Sequence, residues 1–81
     1  MNRRFHKPVT VQPGRIDRDR VVIDIKGAAQ LLLRDWPLDR SEKHRRAMQR
    51  CLDVLRGERP PSYARSAFIA AAREARILLE D

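Results

Sequence analysis

His44, Met48 and Cys51 have the side-chain types of a soft metal site, and they share one face of a predicted helix. Seven residues separate His44 from Cys51, which in a helix is a rise of about 10.5 Å. The ligands of one zinc ion all lie within about 2.3 Å of it, so these two side chains cannot bind the same ion. We therefore interpret the three residues as part of an apolar core face with His44 at its rim, and we predict no metal site and no cofactor.

Cys51 is the single cysteine of the chain and the one side chain that could act as a thiol nucleophile. A nucleophilic cysteine needs a nearby base and partly exposed, electropositive surroundings. Its neighbours Met48, Leu52 and Leu55 favour burial instead, and the other histidine, His6, lies in the basic N-terminal segment. The sequence contains no clear Ser-His-Asp arrangement, glycine-rich phosphate loop or pair of carboxylates. We therefore expect a protein that is not an enzyme and has no small-molecule substrate.

The second predicted helix carries the cations that could contact phosphate groups. These candidates are Lys43, Arg45, Arg46 and Arg50. At 100° per residue, Arg45 flanks one side of the apolar face and the other three flank the opposite side. Glu42 and Asp53 have the spacing to pair with these arginines, but such pairs contribute only about 0.2–0.5 kcal/mol each. We interpret this surface as a solvated helix face, with phosphate binding as the alternative.

The outer side of the third predicted helix mixes arginines with large apolar residues. It holds Arg65, Ile69, Arg73, Arg76 and Ile77. Two interpretations stay open here. In the first, a neighbouring element covers Ile69, and Ile77 lies near the end of the helix. In the second, the surface contacts another protein or a second copy of the chain, because exposed apolar groups bordered by arginine are typical of interfaces.

Two short strands are predicted before the helices. Residues 8–11 alternate between apolar and polar side chains, and residues 20–25 are rich in β-branched side chains. On the second strand, Val21, Ile23 and Ile25 share one face because successive side chains point to opposite sides. The two strands are expected to form an antiparallel hairpin, which needs other elements to pack on.

Three helices follow the hairpin in the sequence. The first is predicted over residues 27–36, where a proline then prevents continuation. The second begins at the capping pair Asp39 and Glu42 and ends at Gly57, which suits a left-handed C-terminal position. The third runs from a serine cap at residue 62 to about residue 79.

The apolar stripes of the second and third helices are predicted to dock against each other and to bury Cys51 and Phe68. The predicted fold is therefore α+β, with a two-stranded antiparallel β-hairpin packed on three α-helices. Residues 1–7 are expected to form a basic flexible tail, and residues 8–81 a single small domain.

The composition restricts the class of protein. With 81 residues the chain is one domain, too small for a deep, fully enclosed cofactor pocket. The longest apolar run, residues 67–72, is far shorter than the roughly 20 residues that span a bilayer, so no membrane partner is expected. The 18 Lys and Arg against 11 Asp and Glu give a net charge of +7, which makes nucleic acid an alternative partner. A lone cysteine and the absence of a signal peptide favour the cytoplasm.

A series of short motifs runs through the chain. It consists of Pro8-Val9, Ala28-Ala29 with Leu32-Leu33, Trp36-Pro37, Ala47-x-x-x-Cys51, Leu55-x-Gly57 and Ala64-Arg65-x-Ala67-Phe68-x-x-Ala71-Ala72-x-Glu74-Ala75. In these motifs the chain resembles the domain of unknown function 982 family, short proteins of rhizobia and related bacteria. The resemblance extends over about residues 8–79, and the Trp-Pro step and the Ala-Arg-x-Ala-Phe stretch are its more specific parts.

The resemblance implies a shared fold and a bacterial source, but this family has no assigned activity and supplies no functional residues. Ser41 and Arg76 stand where we expect glycine in similar sequences, and a glycine at position 76 would mark an earlier end of the third helix. The sequence as a whole predicts a small non-enzymatic interaction module that binds another protein or a second copy of itself. The alternative is a nucleic-acid-binding protein that contacts phosphates through arginine-rich helix surfaces.

Overall fold

In the part of the chain that the structure describes, three helices pack on a three-stranded antiparallel sheet. The computed structural model describes residues 3–14, 19–37 and 40–81. Its elements are β1 (Arg4–Val11), β2 (Arg20–Asp24), α1 (Ile25–Arg34), α2 (Glu42–Leu55), α3 (Pro61–Glu74) and β3 (Leu78–Glu80). The predicted α+β class and the three helices are confirmed. The two-stranded hairpin is a correction, because β3 adds a third strand and the order in the sheet is β2-β1-β3.

β1 is the central strand, and it begins earlier than the sequence predicts. The prediction of a flexible tail over residues 1–7 is wrong for residues 4–7, which belong to β1. The reason is the ring of Phe5, which is buried in the core together with Val9 and Val11. Val9 and Val11 share one face of the strand, and Phe5 reaches the same core beyond the register irregularity between Arg4 and Val9. An alternation read over residues 8–11 therefore does not reveal Phe5 as part of the strand.

β2 is an edge strand whose buried side is a single residue. Val22 is buried and lies opposite Val9 of β1, whereas Val21 and Ile23 are exposed on the outer face of the sheet. Ile25 is buried as well, but as the first residue of α1. The predicted grouping of Ile25 with Val21 and Ile23 on one strand face is therefore wrong, because the strand ends one residue earlier.

α1 begins and ends two residues earlier than predicted. Asp24 is its N-cap, and the Oδ1 atom of Asp24 accepts a hydrogen bond from the backbone N–H of Gly27 at 2.8 Å. This bond satisfies one of the N–H groups that have no partner inside a helix. The helix buries Ala28, Leu31 and Leu32, as its periodicity predicts.

α2 is capped by Ser41, and the predicted cap Asp39 lies outside the described residues. The Ser41 hydroxyl accepts a hydrogen bond from the backbone N–H of His44 at 3.2 Å and donates one to the carboxylate of Glu74 on α3. The predicted C-terminal role of Gly57 is confirmed by its φ of 79°. Ser41 therefore fixes the start of α2 and joins it to the end of α3.

α3 ends at Glu74, well before the predicted residue 79. Arg76 has a φ of 58°, and this left-handed residue reverses the chain. The reversal is closed by a hydrogen bond of 3.0 Å from the N–H of Ile77 to the carbonyl of Ala72. The carbonyl of Ile77 then accepts a hydrogen bond of 2.8 Å from the N–H of Gln12, which brings β3 alongside β1.

The core lies between the sheet and the helices. α2 packs against both α1 and α3, while α3 also contacts β1, and α1 contacts β2. Cys51 and Phe68 are both buried, so the predicted docking of α2 on α3 is confirmed. Of the helices in the described ranges, none has the length and apolar content that crossing a bilayer requires.

Candidate binding sites

His44 and Cys51 are core residues in this structure. The Nε2 atom of His44 donates a hydrogen bond to the carbonyl of Leu32 at 2.6 Å, which satisfies a carbonyl in the last turn of α1. Its ring also meets the Trp36 ring edge-on, with 5.5 Å between the centroids. His44 is thus buried and not at the rim, because it joins the end of α1 to the start of α2.

The thiol of Cys51 is free and buried, and desolvation raises its pKa to about 11. This environment favours the neutral thiol, whereas a nucleophile must be a thiolate. Nowhere in the described ranges do three His, Cys, Asp or Glu side chains come together in an arrangement that could bind a metal ion.

The surface predicted on the third helix is rearranged by the early end of α3. Ile69 is only 9% exposed and Ile77 only 5%, so the prediction that they interrupt a basic outer face is wrong. Ile69 is covered, as the structural alternative expected, while Ile77 is not part of a helix. The chain reversal before β3 turns Ile77 into the core.

The arginines of that surface hold the sheet in place. The Nε atom of Arg65 donates to the carbonyl of Lys7 on β1 at 2.9 Å, and its Nη2 atom donates to the carbonyl of Asp81. Arg73 forms an ion pair of 3.0 Å with the Asp81 carboxylate, while Arg76 is exposed in the reversal. Two of the three arginines are therefore occupied within the chain.

An apolar groove runs between α1 and α2 on the side of α2 that faces away from α3. Its volume is about 510 Å³, within the 300–1,000 Å³ range of ligand sites. Its floor consists of one stripe from each helix: Ala29 and Leu33 on α1, and Met48, Leu52 and Leu55 on α2. Leu33, Leu52 and Leu55 are 52%, 40% and 37% exposed, although the sequence predicts the last two in the core.

Charged and polar side chains border this apolar groove. The border is formed by Arg3, Asp24, Lys26, Gln30 and Arg34. Arg3 closes one end, where its Nη2 atom donates to the carbonyl of Leu55 at 3.2 Å. Within the described ranges, neither Lys26 nor Arg34 has a hydrogen-bond or ion-pair partner. Three cations and one carboxylate give the border a positive potential.

A smaller depression, the basic notch, lies on the opposite flank of α2, against α3. It has a volume of about 140 Å³ and is lined by Lys43, Arg46, Arg50, Ser66, Ala67 and Ala70. Three of the four predicted phosphate-contact residues therefore meet at one place. Arg45 is the exception, because it lies about 140–160° around the helix from Lys43 and Arg50.

Arg50 is the most constrained cation of the basic notch. Its Nη1 atom donates to the carbonyl of Tyr63 at 3.1 Å and to the hydroxyl of Ser66 at 3.4 Å. Its guanidinium group also lies 4.4 Å from the centroid of the Tyr63 ring. These contacts fix the direction of one guanidinium edge before any ligand arrives.

The groove was missed by sequence reasoning, although a weak signal for it exists. Leu52 lies about 100° around α2 from Cys51, and Leu55 lies about 40° from it, so they flank the buried stripe on one side. Periodicity alone assigns such flanking leucines to the core. Whether another helix covers them depends on the packing of α1, which the sequence does not specify.

The chain is similar to a solved structure and matches one family. The solved structure is the NMR structure of Agrobacterium tumefaciens protein Atu1219, a Northeast Structural Genomics Consortium target. That protein shares 32% sequence identity with this chain, and the two structures superpose with a TM-score of 0.78. The similarity covers 96% of this chain and 77% of that one. None of the curated proteins matches the chain. The family model described as "Protein of unknown function (DUF982)" matches residues 7–79, which confirms the resemblance seen in the motifs: the chain belongs to the DUF982 family.

Proposed function

We propose that this protein is a non-enzymatic interaction module that binds an acidic, amphipathic helical segment of another protein in the groove between α1 and α2. The observation that carries the proposal is the exposure of Leu33, Leu52 and Leu55 side by side in one groove. Single exposed leucines are ordinary, but a contiguous apolar patch bordered by polar groups is typical of a binding surface.

The shape of the groove fits a helix. Met48, Leu52 and Leu55 extend over seven residues of α2, which is about 10.5 Å or two helical turns. A partner helix with apolar residues at positions i, i+4 and i+7 presents a stripe of the same length. An open groove between two helices suits such a stripe better than it suits a small molecule, which is usually enclosed on most sides.

The charge of the border favours an acidic partner over a second copy of this chain. Lys26 and Arg34 stand along the groove without partners in the described part of the chain. A second copy carries a net charge of +7, and like charges at an interface are costly. The predicted binding of a second copy therefore becomes one outcome of the test below.

The chemistry of the groove supports a binding role. Its one carboxylate, Asp24, accepts the N–H of Gly27 as the cap of α1. The thiol of Cys51 is buried in the core with a raised pKa of about 11. The thiol is therefore out of reach of a molecule bound between α1 and α2, and the Asp24 carboxylate is engaged in capping the helix.

The test is an NMR titration of the isotope-labelled full chain with two designed helical peptides. Both peptides carry leucines at i, i+4 and i+7; one has glutamates along the borders of this stripe, and the other has lysines. The acidic peptide should shift the amide signals of α1 and α2, and the basic peptide should not. Leu52→Ser should weaken binding about tenfold, because burial of a leucine contributes about 1.5–3 kcal/mol and part of it is already buried.

Val21→Ser is the matched control, since Val21 is also an exposed apolar residue but lies on the outer face of the sheet, outside the groove. It should leave peptide binding unchanged. Equal binding of the two peptides, or equal weakening by Val21→Ser and Leu52→Ser, would contradict the proposal. So would concentration-dependent self-association in sedimentation that Val21→Ser abolishes, because that result indicates a dimer formed through the outer face of the sheet.

Nucleic-acid binding is the second candidate function, and the basic notch is the observation that favours it. A strand would occupy the same notch as the phosphate ligand inferred below, so the two are alternatives, and the diester probe used there distinguishes them. Counterion release predicts a log–log salt slope of about −0.7 per phosphate for a single strand. Because Arg45 lies on the other side of α2, the surface available to phosphates is only as long as the basic notch. Oligonucleotide binding that is absent at low salt would contradict this candidate.

A further inference from the structure

Lys43, Arg46 and Arg50 point into one depression with the hydroxyl of Ser66 on its far wall. We propose that this basic notch binds a single dianionic phosphate group, either the free ion or the phosphate of a small monoester. This site is independent of the groove and of the partner proposed for it, because the two lie on opposite flanks of α2.

The local charge balance specifies the charge of the ligand. Among the described residues, neither Lys43 nor Arg50 has a carboxylate partner. Arg46 pairs with Glu42, at 3.6 Å between Nη2 and Oε1. Three cations and one carboxylate leave about two positive charges in a space about 10.5 Å long. A phosphate monoester carries about −1.5 to −2 at neutral pH, whereas each phosphodiester of a nucleic acid carries one negative charge.

The notch is also arranged for binding before a ligand arrives. The contacts of Arg50 with Tyr63 and Ser66 immobilise a side chain that is otherwise costly to order on binding. Arginine matches the oxygens of phosphate with two parallel N–H groups, and lysine adds a compact charge. The Ser66 hydroxyl, which donates to the Tyr63 carbonyl at 3.3 Å, can turn to a bound oxygen.

The size of the notch restricts the ligand to one phosphate group. Its volume of about 140 Å³ is below the roughly 300–1,000 Å³ of sites that hold a whole small molecule. The small side chains of Ala67 and Ala70 form the wall on α3 and leave this space open. The remainder of an ester must therefore extend out of the notch into solvent, so the site recognises the phosphate and not the organic group.

The test is an NMR titration of the full chain at constant ionic strength with three probes: inorganic phosphate, glycerol 3-phosphate and dimethyl phosphate. The expected result is a shift of the Arg50 Nε–H signal and of the α2 and α3 amides with the first two probes. The diester should bind at least about tenfold more weakly, because it lacks the second charge. Binding of both dianions identifies a site open to esters, and binding of inorganic phosphate alone identifies a site for the free ion.

Arg46→Gln should weaken phosphate binding about tenfold, which is the loss expected for one hydrogen bond to a charged group. Arg45→Gln is the matched control: it removes the same charge from the same helix, outside the notch, and should change the affinity less than twofold. Lys43→Gln serves as a second variant if Arg46→Gln perturbs the fold. Equal weakening by Arg45→Gln, equal binding of the diester, or no shift at millimolar phosphate would each overturn the proposal.

Discussion

Replacing Arg76 by glycine should stabilise this protein. Arg76 has a φ of 58°, a conformation that only glycine adopts without a steric cost. Its N–H donates to the carbonyl of Arg73, and the N–H of Ile77 donates to the carbonyl of Ala72. This pair of hydrogen bonds is the Schellman motif, in which the left-handed residue is usually glycine.

The same chain contains the matched case at the end of α2. Gly57 has a φ of 79°, its N–H donates to the carbonyl of Val54 at 2.9 Å, and the N–H of Glu58 donates to the carbonyl of Asp53 at 3.0 Å. The two helices thus end with one hydrogen-bond pattern and two different residues. The chain itself therefore supplies the reference for the cost of a side chain at this position.

The magnitude follows from two opposing terms. A side chain in the left-handed region costs roughly 1–2 kcal/mol, whereas glycine loses about 0.5–1 kcal/mol more backbone entropy on folding. Arg76→Gly should therefore raise the free energy of unfolding by about 0.5–1 kcal/mol. For a domain of this size, such a gain raises Tm by about 2–8 °C. The arginine side chain itself has no hydrogen-bond partner within the described ranges, so its removal costs little.

Thermal unfolding followed by circular dichroism measures this shift. Arg76→Ala is the control, because it removes the same charge but keeps the Cβ atom and should not gain stability. Gly57→Ala should lower the free energy of unfolding by about 1 kcal/mol. The reasoning is refuted if Arg76→Gly leaves Tm unchanged or lowers it. An equal gain from Arg76→Ala would also refute it, since relief of the net charge of +7 would then be the cause.

Two further predictions concern the core. His44→Ala should lower the free energy of unfolding, measured in urea, by about 2–4 kcal/mol, because it leaves a cavity and an unpaired Leu32 carbonyl. A loss below about 0.5 kcal/mol would contradict a stabilising role for the hydrogen bond between His44 and Leu32. The Cys51 thiol should resist a thiol-reactive disulfide at pH 8 in the folded protein and react once guanidinium unfolds it. Folding raises the pKa of the Cys51 thiol from 9.0 to about 11, so the thiol loses its proton at a lower pH in the unfolded chain than in the folded one. The free energy of unfolding should therefore fall as the pH rises above 9. Reaction of the native thiol at the rate of the unfolded chain would show that Cys51 is exposed.

The sequence predicts the parts of this fold that depend on long periodic segments. The facing stripes of α2 and α3 place Cys51 and Phe68 in the core because a stripe over fourteen residues has few alternative arrangements. β3 could not be predicted in the same way. Its existence depends on one arginine in a left-handed conformation, and side-chain type argues against that conformation at Arg76. The extra strand in turn explains why Ile77 is buried.

The two candidate sites differ in how far the sequence reveals them. The helical wheel alone separates Arg45 from the three cations of the basic notch, because that separation depends only on the geometry of α2. The depression between those cations requires small residues on another helix, Ala67 and Ala70, whose position against α2 is a matter of packing. Predicting the groove would require the position of a further helix, since the exposure of Leu52 depends on where α1 lies against α2.

The central position of α2 explains why both sites border this one helix. α2 buries a narrow stripe of four residues: His44, Ala47, Cys51 and Val54. A stripe of that width leaves both flanks at the surface. On one flank, α1 meets α2 near His44 and Leu32 and leaves leucines uncovered further along the helix. On the other flank, the small residues of α3 leave three cations around an open depression. One amphipathic helix therefore presents an apolar surface and a cationic surface without sharing a side chain between them, which is why each site can be disabled while the other is measured.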